Sequence, residues 1–521
     1  MARANPTQWA QLFALPEHAA LSLQARLRLA IVQAVMDGRL TPGAALPSSR
    51  ELARLLHLGR NTVTAAYEQL VDEQFLEARP RSGVFVTRHE RPVVAIEPGP
   101  PASADASDRS PRSSHPTPHP APNWPARVRR SLADQPTLTK PHRWRDYPYP
   151  FVYGQFDPEL FPTEDFRACC VRSLARSQLQ HWTPDFDNND VPELIEQIRV
   201  RLLPKRGVFA LAEEILITVG AQHSYHLLAE ALFDTDTRVG LEEPGHPHAR
   251  NTFSLRAPRL VPIAVDGEGL VVDTMPPVDY LFVTPSHQSP TTGTLGMARR
   301  QWLLKRAELH DFVVIEDDYE AENLYEGSPM PALKSLDKGG RVVYIGSLSK
   351  SLSPALRLGY IVAPRALIAE LRLLRHAMVR HPSAFLQQAY ALFLQLGHHE
   401  SHARRVNAAM QERLAAVAQA LRQTLPDFVF RVPQGGASLW VQAPAWVDAG
   451  ELALIARRHG VLIEAGEVFF LQPPYPCPFF RLRLSSIAAA QIPAGIAALA
   501  LAVNELAAAR GERRAPESGQ A

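Results

Sequence analysis

One lysine, set between two apolar runs, constrains this chain more than any other feature. Arg341 to Pro364 reads RVVYIGSLSKSLSPALRLGYIVAP. Val342–Ile345 and Tyr360–Ala363 are short apolar runs of the kind that form strands buried on both faces. The turn between them carries Lys350 flanked by serines. Burial disfavours an ammonium ion and leaves an amine that can attack a carbonyl and form a Schiff base. An isolated Ser-x-Ser-Lys fits a solvated surface loop equally well, so the surroundings decide.

Three surrounding stretches supply matching chemistry. Phe312-Val-Val-Ile-Glu-Asp-Asp-Tyr319 ends an apolar strand in two carboxylates and a phenol, at the end of a strand where open α/β sheets bind ligands. Thr218-Val-Gly-Ala-Gln-His223 is a strand, a glycine turn and the start of the helical pattern Tyr225–Phe233, and a helix N-terminus cradles phosphate. Arg357 follows Lys350 by seven residues, with Ser347 and Ser349 as further phosphate donors. A pyridoxal phosphate ring needs an acid against its pyridine nitrogen and a donor near its phenolic oxygen. Asp317 and Tyr319 can supply both. Singly, each stretch also reads as a strand-end turn, a helix start or a surface arginine.

From about Pro148 to Ala509 the chain resembles the fold-type I aminotransferases, through Gly346-Ser-Leu-Ser-Lys350, Glu316-Asp-Asp-Tyr319, and Thr284-Pro-Ser-His-Gln288 with Pro290 and Gly293. The resemblance implies pyridoxal 5'-phosphate as cofactor, with Lys350 as its covalent attachment, Asp317 on the pyridine nitrogen and Tyr319 on the phenolic oxygen. It implies phosphate contacts from Ala221, Gln222, Ser347, Ser349 and Arg357. Arg481, in Phe479-Phe-Arg-Leu-Arg-Leu-Ser-Ser486, matches the arginine that grips a substrate carboxylate, a bidentate task suited to guanidinium. His287 and Gln288 stand where the family approaches the ring. One departure is Glu242-Glu-Pro-Gly-His246: where the family stacks an aromatic residue on the ring this chain has His246, which is either an imidazole stacker or a loop histidine.

The N-terminal part has a different grammar. Leu23, Leu27, Ile31 and Val35 recur at helical spacing before Gly38. Ser48 to Glu51 has capping-box spacing at the start of a second helix, and a third runs from Arg60 to about Glu73. Two short strand-like pieces, Phe75–Ala78 and Val84–Thr87, flank an Arg79-Pro-Arg-Ser-Gly83 tip. Helix, helix-turn-helix and a two-stranded wing make a winged helix, whose recognition helix meets base edges and whose basic wing meets phosphate. Leu46-Pro-Ser-Ser-Arg-Glu-Leu-Ala53 with Arg60-Asn-Thr-Val-Thr-Ala-Ala-Tyr-Glu-Gln-Leu70 resembles the GntR family of bacterial regulators. The resemblance implies double-stranded operator DNA as partner, contacted by Arg50, Arg60, Asn61, Thr62 and Thr64, with Ser82 and Gly83 at the wing. Gly59 replaces the family's usual serine N-cap, and Arg81 stands where a wing glycine is common.

Between these parts, residues 89–146 are rich in proline and poor in large aliphatics, a composition that cannot bury a core and reads as a linker. The expected domains are therefore 1–88, a winged helix; 147–509, an α/β aminotransferase-like part with large and small portions; and 510–521, a polar tail. Strands expected at Ile215–Val219, Arg238–Leu241, Leu260–Val265, Tyr280–Thr284, Phe312–Glu316 and Val342–Ile345 alternate with helices, as in a doubly wound parallel sheet. A long helical stretch to about Leu425 follows, then strands near Phe428–Val432, Ala437–Val441 and Phe480–Leu484. Three cysteines give no disulfide framework or zinc spacing and suit a reducing compartment. With no signal-peptide layout, and with residues 493–509 reading as an amphipathic helix, no membrane partner and a cytoplasmic location are expected. His398, His399 and His402 read as a solvated helix end, and no metal is expected.

Both motif sets in this order resemble the MocR/GabR group of transcriptional regulators, which implies a head-to-tail homodimer whose aminotransferase-like part senses an amino-compound effector. Two alternatives stay open on residues alone: a working aminotransferase that carries a DNA-binding domain, and a regulator for which pyridoxal phosphate is itself the signal.

Overall fold

The computed structural model describes residues 9, 13, 21–80, 82–87, 122–129, 131–133, 135–152, 157–184, 189–322, 325, 330–348 and 352–514. The chain divides into two compact units, residues 1–120 and 121–521.

In the first unit, α1 (Leu23–Met36) starts at Ser22, whose hydroxyl accepts the Ala25 N–H at 3.2 Å. It buries Leu27, Ala30, Ile31 and Ala34. Leu23, expected on that stripe, shares that face but is exposed as the first residue of the helix. α2 (Ser49–Leu55) is capped by Ser48 accepting the Glu51 N–H at 3.3 Å. α3 (Arg60–Asp72) starts at Gly59 with no side-chain cap, and buries Val63, Ala66, Tyr67 and Leu70. The Tyr67 hydroxyl donates to the Pro47 carbonyl at 2.9 Å and ties α3 to the start of α2. β1 (Leu76–Arg79) and β2 (Gly83–Val86) pair antiparallel, with Leu76 opposite Val86. Gly83 turns the tip with φ +110°, which favours glycine.

The second unit is built on an eight-stranded sheet. Its strands are β3 (Ile215–Thr218), β4 (Arg238–Glu243), β5 (Arg259–Asp266), β6 (Gly269–Leu270), β7 (Tyr280–Val283), β8 (Val313–Asp318), β9 (Val342–Ser347) and β10 (Gly359–Val362), in spatial order β3-β10-β9-β8-β7-β4-β5-β6. The six strands expected from apolar runs all form. The sheet is mixed rather than wholly parallel: β5, β4, β7, β8 and β9 run parallel, while β10 is antiparallel to both β9 and β3. The short segment from Leu348 to Leu358 is too brief for a crossover helix, so the chain must return antiparallel. Helices α4 (Ala221–Leu232), α5 (Pro247–Ser254) and α6 (Met297–His310) follow β3, β4 and β7.

The helical stretch after Pro364 forms as three helices, α7 (Arg365–Val379), α8 (Ala384–Gln395) and α9 (His398–Thr424). Arg380 and Gly397, both at positive φ, break it. His399 and His402 are buried, contrary to the solvated end expected, with Glu322 on His399 at 3.0 Å and Phe393 against both rings. The small portion carries β11 (Val429–Phe430), β12 (Ser438–Gln442), β13 (Glu464–Ala465) and β14 (Phe479–Arg483), ordered β11-β12-β14-β13. α10 (Ala449–Arg458) and α11 (Ile492–Arg514) cover it. Among the described helices the Ala489–Arg510 stretch is, by length and composition alone, long and apolar enough to cross a membrane, yet Ile496, Leu499, Val503 and Leu506 lie in this core.

Candidate cofactor site and nucleic-acid interface

Parallel strands bring their carboxyl ends to one edge, and several of the described residues expected from sequence follow such an end. β3 leads to Gly220 and α4, β4 to His246, β7 to His287, β8 ends in Asp317 and Asp318, and β9 ends at Ser347. Ile345 on β9 lies beside Asp317. Ser349 and Lys350 lie outside the described residues.

The Gly220 turn and Arg357 form one cradle. Gly220 has φ +76°, and a Cβ there would stand 2.9 Å from Arg357 Nη2. Only glycine lets the guanidinium lie against the turn. Arg357, exposed and itself left-handed at φ +53°, donates to the Val219 carbonyl at 3.0 Å. Ala221 and Gln222 form the first turn of α4, where backbone N–H groups lack helical acceptors. The Gln222 amide side chain turns away to donate to Thr252 on α5, so its backbone, not its side chain, belongs to the cradle. His223, one residue on, is driven down to about 4 by burial, with Arg375, His226 and Arg357 adding repulsion.

Behind the cradle lies a buried acid. Asp317 is 1% exposed and its Oδ2 accepts the hydroxyl of Tyr225, a residue of α4. Its neighbour Asp318 has a structural task. Burial opposes its charge, but Arg206 at 2.7 Å and the Tyr344 hydroxyl at 2.9 Å hold it below the usual carboxylate range. Tyr319 is held protonated, well above an ordinary phenol, by burial and by Glu320. His287 is pushed down by burial, and with Nδ1 2.7 Å from the Ser286 carbonyl it donates there as a neutral ring. The Gln288 amide donates to Glu242 and to the Pro244 carbonyl, tying the β7 loop to the β4 loop.

His246 caps α5. Its Nδ1 accepts the Ala249 N–H at 3.3 Å, which places the ring proton on Nε2, and its ring meets Tyr225 edge-on at 5.9 Å and 70°. α5 is tied in several directions. Arg250 donates to the Phe470 carbonyl at 2.7 Å and to the Pro136 carbonyl at 3.2 Å, and Asn251 donates to Pro136 at 2.9 Å. Gly245 N–H reaches the Phe469 carbonyl, and Glu243 accepts the Leu471 N–H.

Arg481 is buried on β14, with Glu464 on its Nε at 2.7 Å and its guanidinium over the Phe469 ring at 4.6 Å. Two residues on, and so on the same face, Arg483 holds Glu320 at 2.7 Å. Sequence reading singled out Arg481 and passed over Arg483. The signal was present in the Arg-x-Arg spacing, but Glu320, which occupies Arg483, is 163 positions away in the chain.

On the first unit, Arg50, Arg60 and Asn61 are exposed at or near the helix starts, Thr62 and Thr64 are half-buried, and Ser82 and Gly83 are exposed at the wing tip. Arg79 stacks on Phe85 at 4.4 Å. Arg81 lies outside the described residues.

The model of the gntR family of bacterial regulatory proteins matches residues 23–86, and that of aminotransferase class I and II matches 182–499. Over 485 residues the chain is 41% identical to the HTH-type transcriptional regulator TauR of Rhodobacter capsulatus, covering 92% of this chain and 96% of that protein. It is 32% identical over 402 residues to the probable rhizopine catabolism regulatory protein MocR of Rhizobium meliloti, covering 76% of each. The crystal structure of LysN, the α-aminoadipate aminotransferase of Thermus thermophilus complexed with N-(5'-phosphopyridoxyl)-L-leucine, superposes with a TM-score of 0.67 at 25% identity, over 74% of this chain and 99% of that one. The chain belongs to the HTH-type transcriptional regulators that join a gntR-family domain to an aminotransferase class I and II domain.

Proposed function

We propose that this regulator binds operator DNA through its winged helix, holds pyridoxal phosphate at the sheet edge, and reads an amino-compound effector there. The observation that carries the proposal is the convergence of the Gly220–Arg357 cradle, buried Asp317 and protonated Tyr319 at one edge. The donor set suits the cofactor: a glycine turn at a helix start beside an arginine offers donors to a phosphate, and a buried carboxylate and a phenol are the partners that a pyridine nitrogen and a phenolic oxygen need.

When bound, pyridoxal phosphate supplies a carbonyl that accepts primary amines and a ring that draws electrons when its nitrogen is protonated. Lys350 would provide the anchoring amine. Asp317 would accept a hydrogen bond from the protonated ring nitrogen, and Tyr319 would donate to the phenolic oxygen. Arg357, Ser347, Ser349 and the amides of Ala221 and Gln222 would carry the phosphate charge, with His246 and His287 flanking the ring. Arg481 would grip an effector carboxylate, taking it in place of Glu464. Arg50, Arg60, Asn61, Thr62 and Thr64 would meet the operator, with Ser82 and Gly83 on the flanking backbone. The regulator would work in the cytoplasm as a head-to-tail homodimer, with domain limits at 1–88, 89–146, 147–509 and 510–521. An effector that bridges β14 and the sheet edge would favour one arrangement of the two portions, and operator affinity would follow.

Full-length protein loaded with pyridoxal phosphate should absorb in the visible, and Lys350→Ala should lose that band and resist borohydride fixation at that position. A retained band would overturn the Lys350 assignment. Operator binding titrated first with cofactor alone and then with a panel of amines tests the sensing role, which fails if neither changes affinity. A second reading, turnover, draws on the likeness to an aminotransferase, and steady-state transamination assays on the same amines decide it.

A further inference from the structure

The geometry points to Tyr225 as the residue that positions Asp317 toward the cofactor, an inference that rests on the cofactor reading above. Tyr225 is 2% exposed and sits one turn into α4, the helix whose first turn forms the cradle. Its hydroxyl donates to Asp317 Oδ2 across 92 residues of sequence. With one oxygen anchored, rotation of the carboxylate about its Cβ–Cγ bond is set, and with it the direction of the other oxygen. The phenol ring cannot swing away. Phe282 meets it edge-on at 5.4 Å and 86°, Phe253 at 6.0 Å and 68°, and His246 at 5.9 Å and 70°.

One rigid helix therefore spans two parts of the site. Its N-terminus takes the phosphate end, and its fifth residue fixes the acid at the ring end. A hydrogen bond from a neutral donor favours the charged form of a carboxylate, which is the form that pairs with a protonated ring nitrogen. Tyr225 would not touch the cofactor, so its effect passes through Asp317.

The test uses full-length wild type, Tyr225→Phe, Asp317→Asn and the double variant, with pyridoxal phosphate as the probe. Readouts are its dissociation constant, the absorption spectrum of the bound cofactor, and thermal stability. Tyr225→Phe keeps the ring and its packing, and we expect the dissociation constant to rise about ten- to a hundredfold, the scale of one hydrogen bond to a charged group. The spectrum should move in the direction Asp317→Asn moves it. In the Asp317→Asn background, removing the hydroxyl should change affinity by less than about twofold, because the two residues act as one unit. A purely structural Tyr225 would lower stability and leave the spectrum alone. If Tyr225→Phe fails to fold, 3-fluorotyrosine at position 225 decides: its more acidic hydroxyl should shift the spectrum, and an unchanged spectrum overturns the inference. Cofactor binding that Asp317→Asn weakens and Tyr225→Phe leaves unchanged overturns this inference alone. Wild type that fails to bind pyridoxal phosphate overturns the cofactor reading, and this inference with it.

Discussion

Glu242, Asp317 and Asp318 end strands of one sheet, and each carboxylate meets different surroundings. Glu242 accepts the Thr284 N–H at 3.2 Å, the Thr284 hydroxyl at 2.5 Å and the Gln288 amide at 3.2 Å. Complete burial outweighs these donors and lifts its pKa from the ordinary 4.5 to about 7. The folded protein therefore binds this proton more tightly than the unfolded chain does, and stability falls as pH rises from about 4.5 through about 7. The span corresponds to ~3 kcal/mol. Glu242→Gln should flatten that part of the stability profile and melt above wild type at pH 8, as calorimetry across pH would show. At this scale legibility follows chain distance. Lys350, Asp317, Tyr319 and Arg357 sit in contiguous strand-turn motifs, so their chemistry is readable from the string. Arg206–Asp318 and Arg483–Glu320 join residues 112 and 163 positions apart. Nothing local marks those pairs, and Tyr225 reads simply as an apolar position of a helix.

At the scale of elements, caps and turns carry much of the specification. His246 caps α5 through Nδ1, so His246→Ala should cost about 1 kcal/mol and lower the melting temperature by a few degrees, whereas His246→Asn, which can still cap, should lose less. α3 lacks such a cap at Gly59, and its exposed start is where base contacts are proposed. Arg60→Ala should weaken specific operator binding by about 1–3 kcal/mol if Arg60 makes a bidentate base contact. Arg50→Ala should weaken binding evenly across sequences and reduce its salt dependence. Titrations on operator and scrambled DNA at several salt concentrations separate the two. Strand positions were legible because buried parallel strands are unbroken apolar runs, as in Val342–Ile345. The antiparallel sense of β10 was not, since direction depends on the length of the return. β13 has only Glu464 and Ala465, too short to show any period. The breaks at Arg380 and Gly397 do have a local signal, Pro382 just past the first and Gly397 itself at the second.

At the scale of the whole molecule, α5 is where the proposed site, the small portion and the stretch around Pro136 meet. His246 begins it, Thr252 receives Gln222, Arg250 holds Phe470, and Arg250 with Asn251 holds Pro136. Arg250→Met keeps the buried stem and removes the donors. It should speed protease cleavage between residues 129 and 145 several-fold and make operator binding insensitive to cofactor and effector. Unchanged cleavage and an intact response would exclude Arg250 from that coupling. The hold on Pro136 can also be weighed as a tether. From Val86 to Pro136 a fully extended chain spans roughly 165 Å at ~3.3 Å per residue. Letting Pro136 go would move the anchor to Tyr149, whose N–H is bound by the Gly460 carbonyl, and lengthen the tether by about a quarter. Local concentration falls roughly as the −3/2 power of tether length, so the winged helix would be diluted only ~1.4-fold at its operator. So small a dilution cannot switch a gene, and tether length alone gives the hold at Pro136 no regulatory weight.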